Sequence, residues 1–416
     1  GKMIEESEKL KSTAEDKASR LADRLVPYTL GGTALTYLLT RNTIKALAVL
    51  MVDFSCALKL SMPIAVLSAM RESSGYHISV KGGRFMEAVA NADTVVFDKT
   101  GTLTYATPTV AKVVSFDGYS ASEMLRLAAC LEEHYPHSIA NAVVAEAKRL
   151  GLDHKEYHSQ VEYVVAHGIS STVEDKKVII GSAHFVFEDE GCVVPEAEQE
   201  KFNALPEEYS HLYLCIAGRL AAVICISDPL RKEAKDAIQA LHACGISKVV
   251  MMTGDSRRTA EAVAREVGVD QFYAEVLPED KANFVRKEKA AGRKVIMIGD
   301  GVNDTPALSE ADVGIAINTG AAIAREIADV TIASEDLFEL VTLRKISQAL
   351  MGRIQRNYRF IVGFNLMLIV LGVTGVIQPT TSALLHNAST LGISLDSMTD
   401  LLDKDKEKAL PETESA

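Results

Sequence analysis

With 416 residues the chain is too long for one core and implies roughly two to four domains. Its formal charge of -12 argues against a nucleic-acid partner. Hydrophobic residues make up 48% of the chain, which beside that charge points to apolar membrane segments joined to an acidic soluble body. The six cysteines, Cys56, Cys130, Cys192, Cys215, Cys225 and Cys244, form no CxxC pair, so the soluble part reads as a reduced, cytosolic domain in which most of them are small core residues.

Residues 1–24 open Gly1-Lys2-Met3, without initiator methionine or signal peptide, as a fragment would. Ile4, Leu10, Ala14, Ala18, Leu21 and Leu25 recur at helical spacing among many charges, predicting a cytosolic linker helix. Residues 25–70 read as a transmembrane pair: a short apolar segment over 25–39, then a longer one over 44–70 carrying Lys45, Asp53, Lys59 and Pro63. Pro63 cannot donate to the carbonyl of Lys59, so a break is expected there, close to Cys56. Asp53 lies three residues before Cys56, near enough on a helix to share its face.

In residues 71–107 the apolar run Thr94-Val95-Val96-Phe97 leads directly into Asp98-Lys99-Thr100-Gly101-Thr102-Leu103-Thr104. That is a carboxylate on a strand tip followed by a glycine turn, where free backbone N–H groups can hold phosphate and the aspartate can attack it. Residues 108–225 mix helical stretches (122–132 and 138–150) with strand-like ones (177–180) and read as an inserted α+β domain. Residues 226–345 resume the alternation, with apolar runs at 248–252 and 295–298 ending in Thr, Gly and Asp, as in a parallel sheet. A second membrane pair is expected over 346–395. Lys345, Arg353, Arg356 and Arg359 before it put the soluble region on the cytosolic side, making a multi-pass protein of the cell membrane. Residues 396–416 read as a disordered tail.

Four strand ends carry one signature. The string Asp98–Thr104 resembles the phosphorylation motif of P-type ATPases. Thr253-Gly254-Asp255, Pro278-Glu279-Asp280-Lys281 and Gly299-Asp300-Gly301-Val302-Asn303-Asp304 follow in the order found in haloacid dehalogenase-like catalytic domains. The resemblance implies an α/β, Rossmann-like parallel-sheet phosphorylation domain with an inserted nucleotide-binding domain, flanked by transmembrane helix pairs. It implies that ATP phosphorylates Asp98 and that Mg²⁺ lies between Asp98, the main-chain carbonyl of Thr100 and Asp300. Lys281 and Thr253 would bind the phosphoryl group, and Asn303 and Asp304 would complete the site. Soluble phosphatases of the superfamily carry an acid–base Asp where this chain has Thr100, so the phosphoenzyme is expected to persist.

Glu132 and His137 fit the adenine-site spacing of heavy-metal P-type ATPases, although Ser138 replaces the Pro expected after His137. The family's Gly-x-Gly appears as Ala166-His167-Gly168, and Ser182 follows Gly181 where an Asn is usual. Asp255 and Arg231 are expected beside the nucleotide. In the membrane, Cys56 before Pro63 resembles the metal motif of heavy-metal pumps, and His386, Ser389 and Thr390 gather on one side of the last helix. One thiolate, one imidazole and oxygen ligands, Asp53 among them, suit Zn²⁺, Cd²⁺, Co²⁺ or Mn²⁺ better than Cu⁺.

The expected function is export of a divalent transition metal driven by ATP. No Thr-Gly-Glu motif of the actuator domain occurs, so an incomplete pump is expected, its actuator and earlier membrane helices carried on a separate segment. The alternatives are a membrane-anchored phosphatase of the same superfamily and a non-catalytic metal-binding fragment.

Overall fold

A computed structural model describes residues 11–105, 107–134, 138–152, 158–164, 168–300, 304–317, 326–334 and 336–402. The chain divides into two compact units, residues 1–91 with 339–416, and residues 92–338.

The first unit is helical. Its opening helix, Thr13–Thr40, starts at a capping box in which Ser12 and Glu15 satisfy each other's backbone N–H groups, and then runs on without interruption. The expected linker and first membrane segment are therefore one element. Helices Thr43–Leu50 and Phe54–Gly75 follow. The break in this stretch falls at residues 51–53 rather than at Pro63, which sits inside the second of these helices. Asp53 causes the restart: its carboxylate accepts from the N–H of Ser55 at 2.8 Å and caps the new helix. A three-residue strand, β1 (Ile78–Val80), and helix Gly83–Asn91 complete the first arm.

Helices Phe338–Val373 and Pro379–Ser397 form the second arm, the latter started by a proline in its first turn. Close packing depends on small residues: a Cβ on Gly372 would lie 2.6 Å from that of Ala48. Among the described residues, Thr43–Gly75 (with its interruption) and Phe338–Val373 are long and apolar enough to cross a membrane.

The second unit holds two sheets. In the first, β2 (Thr94–Asp98), β9 (Lys248–Met252), β10 (Gln271–Tyr273), β11 (Val295–Gly299), β12 (Val313–Ile317) and β13 (Val330–Ile332) run parallel in the order β13-β12-β11-β2-β9-β10. Every residue of β2, β11 and β12 is buried, as a parallel sheet covered on both faces requires. Since β2 is central, its carboxyl end opens between those of β9 and β11, at the point where strand order switches. In open α/β sheets ligands bind at that crevice.

Between β2 and β9 the chain makes an antiparallel sheet of β3 (Thr109–Ser115), β4 (His158–Val164), β5 (Gly168–Val173), β6 (Lys176–Gly181), β7 (Ser210–Ile216) and β8 (Arg219–Ser227), ordered β3-β8-β7-β6-β5-β4. Helices Ala121–Glu132 and Ser138–Arg149 supply one core with this sheet, in which Leu125, Ala128, Ile180 and Leu214 are buried. A second core gathers Phe116, Phe185, Cys215 and Cys225. The outgoing and returning connections pair as a short ribbon: Thr104 bridges Leu230, and the N–H of Arg231 donates to the carbonyl of Leu103 at 2.8 Å.

Candidate active site

Parallel pairing sets the site. Asp98 ends β2 in register with Met252, so Thr253 begins the loop directly beside it, while Phe97 pairs with Ile298 just before Gly299 and Asp300. The turn after Asp98 depends on Gly101, whose φ of +76° lies in the left-handed region that favours glycine. Gly299 is needed for another reason. A Cβ there would lie 2.4 Å from Oδ2 of Asp304, so only glycine lets that carboxylate rest against the strand end.

Lys281, on helix Pro278–Ala290, donates to Oδ1 of Asp98 and Oδ1 of Asp304, each at 2.7 Å. All three side chains are buried. Burial pushes the Asp98 carboxyl up to about 7, Asp304 and Asp300 adding to the shift while Lys281 opposes it. Burial pulls the Lys281 ammonium down, but Asp98 and Asp304 outweigh it and hold its pKa above the ordinary value. Oδ2 of Asp304 is buried and has no hydrogen-bond partner among the described residues.

An unmet carboxylate oxygen beside a second, raised carboxyl is what a hard cation relieves. Mg²⁺ needs only one or two protein carboxylates when phosphate and water complete its shell. The residues therefore fit that ion. No group of three His, Cys, Asp or Glu side chains among the described residues forms a ready-made metal cage, here or in the helical unit.

Thr253 is buried at its strand end, and Thr100 lies in the turn beside Asp98. Asn303 and His137, with Ala166 and His167, are outside the described residues. Glu132 is buried at the end of its helix. Gly168 pairs with Gly181 across β5 and β6, and a Cβ on Gly168 would meet the carbonyl of Ile180 at 2.4 Å and Phe185 at 2.5 Å. That glycine is thus required by the packing of its own sheet. Arg231 is buried; its Nε donates to the carbonyl of Thr102 at 2.8 Å, and its guanidinium lies over Tyr105. Asp255 faces Lys99, with 2.5 Å between Oδ2 and Nζ.

In the helical unit Cys56 is exposed, while Nδ1 of the buried His386 shares a hydrogen bond of 2.9 Å with Oδ1 of Asn365. Ser389 and Thr390 both donate to the carbonyl of His386 within their own helix. Asp53 caps Phe54–Gly75, and Lys59 pairs with Asp23 at 2.5 Å instead of with Asp53.

Sequence reasoning missed Lys99. Its neighbour Asp98 drew the attention, yet Lys99 is 2% exposed and meets Asp255, Asp228 and Ser210. A lysine between a nucleophile and a glycine turn, with no acidic residue at local spacing, was the available signal.

Residues 92–312 match the family description "haloacid dehalogenase-like hydrolase". The chain belongs to that family. Its similarity to metal-pumping members runs far beyond the catalytic sheet. A copper-transporting ATPase 2 of Rhizobium meliloti (strain 1021) is 36% identical over 394 residues, 92% of this chain and 47% of that protein. A zinc-exporting P-type ATPase of Mycobacterium marinum is 32% identical over 398 residues, covering 95% of this chain and 54% of the relative. The chain thus spans about half the length of the curated relatives it matches.

Among solved structures, a zinc-transporting PIB-type ATPase in the E2.Pi state superposes with a TM-score of 0.65 at 28% identity, over 92% of this chain and 66% of that one. The catalytic domain of the CPx-ATPase CopB-B aligns over 98% of its own length and 67% of this chain, with a TM-score of 0.54 at 29% identity. The mixed α/β architecture with a parallel sheet is therefore that of P-type ATPase catalytic domains.

Proposed function

We propose that this chain is the ATP-hydrolysing and carboxyl-terminal membrane part of a pump that exports a divalent transition metal through an aspartyl phosphate on Asp98. The observation that carries the reading is Lys281 held between Asp98 and Asp304. An ammonium at that place offsets the negative charge that gathers as a phosphoryl group approaches the carboxylate.

The Asp98 oxygen attacks the γ-phosphorus of ATP, the bond to the bridging oxygen breaks, and ADP leaves with that electron pair. Thr253 and the backbone N–H groups of the turn hold the transferred oxygens. Asp98, Asp300 and the carbonyl of Thr100 would hold Mg²⁺, with Asn303 and Asp304 completing the site. The ion supplies charge neutralisation and alignment of the phosphates. Thr100 offers no carboxylate to activate water, which favours a persistent phosphoenzyme over a phosphatase.

Glu132, His137, Gly168 and Gly181 are assigned to the nucleotide. Asp255 and Arg231 support it at one remove, since the first is engaged by Lys99 and the second by Thr102. For the transported ion, Cys56, His386, Ser389, Thr390 and Asp53 remain the assignment, with a borderline divalent ion such as zinc, cadmium, cobalt or manganese as cargo. Partners are ATP, that ion and lipid, with the catalytic unit in the cytoplasm.

The test is labelling by γ-labelled ATP. Acid-stable, hydroxylamine-sensitive label that disappears in Asp98→Asn is expected. Label that survives the substitution would remove Asp98 from the chemistry, and rapid phosphate release from simple phosphomonoesters would favour the phosphatase.

A further inference from the structure

Lys99 sits where three parts of the second unit meet, and its ammonium touches all of them. One partner is Asp255, in the loop after β9, at 2.5 Å. Another is Asp228, in the returning arm of the two-stranded connection, at 3.6 Å. The third, Ser210, opens β7 of the inserted sheet and accepts from Nζ at 3.0 Å. The side chains of Lys99, Asp228 and Asp255 are 3%, 5% and 13% exposed, so loss of one partner leaves the others buried without compensation.

Ser210 does not stand alone. The segment before it lies along helix Arg257–Val267: Nη1 of Arg258 donates to the carbonyl of Asn203 at 2.8 Å, the Arg258 guanidinium pairs with Glu207, and Oγ1 of Thr259 donates to the carbonyl of Tyr209 at 3.2 Å. The Arg258–Glu207 pair is half exposed and contributes little by itself. Lys99–Ser210 is the buried contact of the set, and it reaches the residue next to the nucleophile.

We propose that Lys99 and Ser210 are positioning residues that set the docking of the inserted sheet against the Asp98 turn, and so the delivery of the nucleotide phosphate to Asp98. The inference rests on the phosphoryl-transfer reading above. Ser210 is the useful position to change, because Lys99 keeps both carboxylates and the Asp98 turn stays anchored when the hydroxyl is lost.

The experiment compares two phosphoryl donors on the full chain in membranes. ATP must be presented by the inserted domain; acetyl phosphate reaches Asp98 without it. Ser210→Ala is expected to raise the ATP concentration for half-maximal labelling roughly tenfold, equivalent to about 1.4 kcal/mol, and to leave labelling by acetyl phosphate unchanged. Ser210→Thr, which keeps the hydroxyl, is expected to restore the ATP dependence. Equal losses with both donors would reduce Ser210 to general support of the turn and overturn the proposal, as would no change with either. If the unaltered chain accepts phosphate from neither donor, the phosphoryl-transfer reading fails first and takes this inference with it.

Discussion

The strand-tip site and the helical unit both bury polar side chains, but they satisfy them differently. At the strand tips the partners come from distant parts of the chain: Lys281 reaches Asp98 and Asp304, and Lys99 reaches Asp228 and Asp255. In the helices several buried hydroxyls return to their own backbone, as with Ser73 to Ala69, Thr390 to His386 and Ser394 to Thr390. Such back-bonds satisfy a hydroxyl in an apolar setting without specifying any partner. Burial of polar atoms therefore does not mark a site. Buried clusters of opposite charge joined across long sequence separations, as at the strand tips, do, because their desolvation has to be offset by something the local chain cannot provide.

The largest effect that can break this contrast is at Lys281. Lys281→Met leaves Asp98 and Asp304 buried without their cation, which is expected to cost about 3–5 kcal/mol of stability and to lower labelling from ATP at least 100-fold, by roughly 3 kcal/mol of lost transition-state stabilisation. Denaturant titration and labelling together check it. A stable variant that still labels would show that the cluster is not held by charge.

Next comes Gly168→Ala in the inserted domain, where the added methyl meets the carbonyl of Ile180 and the ring of Phe185. A loss of about 1–3 kcal/mol from overpacking is expected, with labelling from acetyl phosphate preserved. Were stability unchanged and only ATP affinity lost, the glycine would be serving the nucleotide and not the sheet.

A smaller effect tests the electrostatics by pH. The Asp98 carboxyl is raised from its ordinary 3.8 to about 7, so between those values the folded protein holds a proton that the unfolded chain has released. Stability therefore falls as pH rises through that window, and the whole penalty is present above pH 7. Asp98→Asn lacks it. The variant should match the unaltered protein near pH 4 and exceed it above pH 7, a gap that Mg²⁺ should narrow. Thermal denaturation across pH, with and without Mg²⁺, decides this; a gap that widens at low pH would reverse the sign.

The sequence made some of this legible and hid the rest for physical reasons. Strand ends with Asp, Thr and Gly announced the catalytic sheet because each motif is a single contiguous turn, and parallel pairing then brought Asp98, Thr253 and Asp300 together. Lys99 was not legible, since Ser210 and Asp255 lie more than a hundred residues away and only folding joins them. Pro63 misled: a missing donor suggested a break, but Asp53 supplied a stronger restart signal by capping the following helix. Asp53 and the hydroxyls near His386 fit two readings, because type and spacing cannot distinguish a metal ligand from a cap or a back-bond.

The smallest expected effect bears on that last ambiguity. Thr390→Val removes a hydroxyl that donates to the carbonyl of His386, a carbonyl that also accepts from Ser389. Because the acceptor keeps one donor and valine fills the same volume in an apolar setting, stability should change by no more than about 0.5 kcal/mol. Packing alone would leave metal stimulation of ATP turnover untouched in the chain supplied with its actuator. A ligand would not: the same substitution would then raise the metal concentration needed for stimulation while the fold stays intact. Measuring stability and metal dependence on one variant thus separates the two uses of a buried hydroxyl that the strand tips and the helices represent.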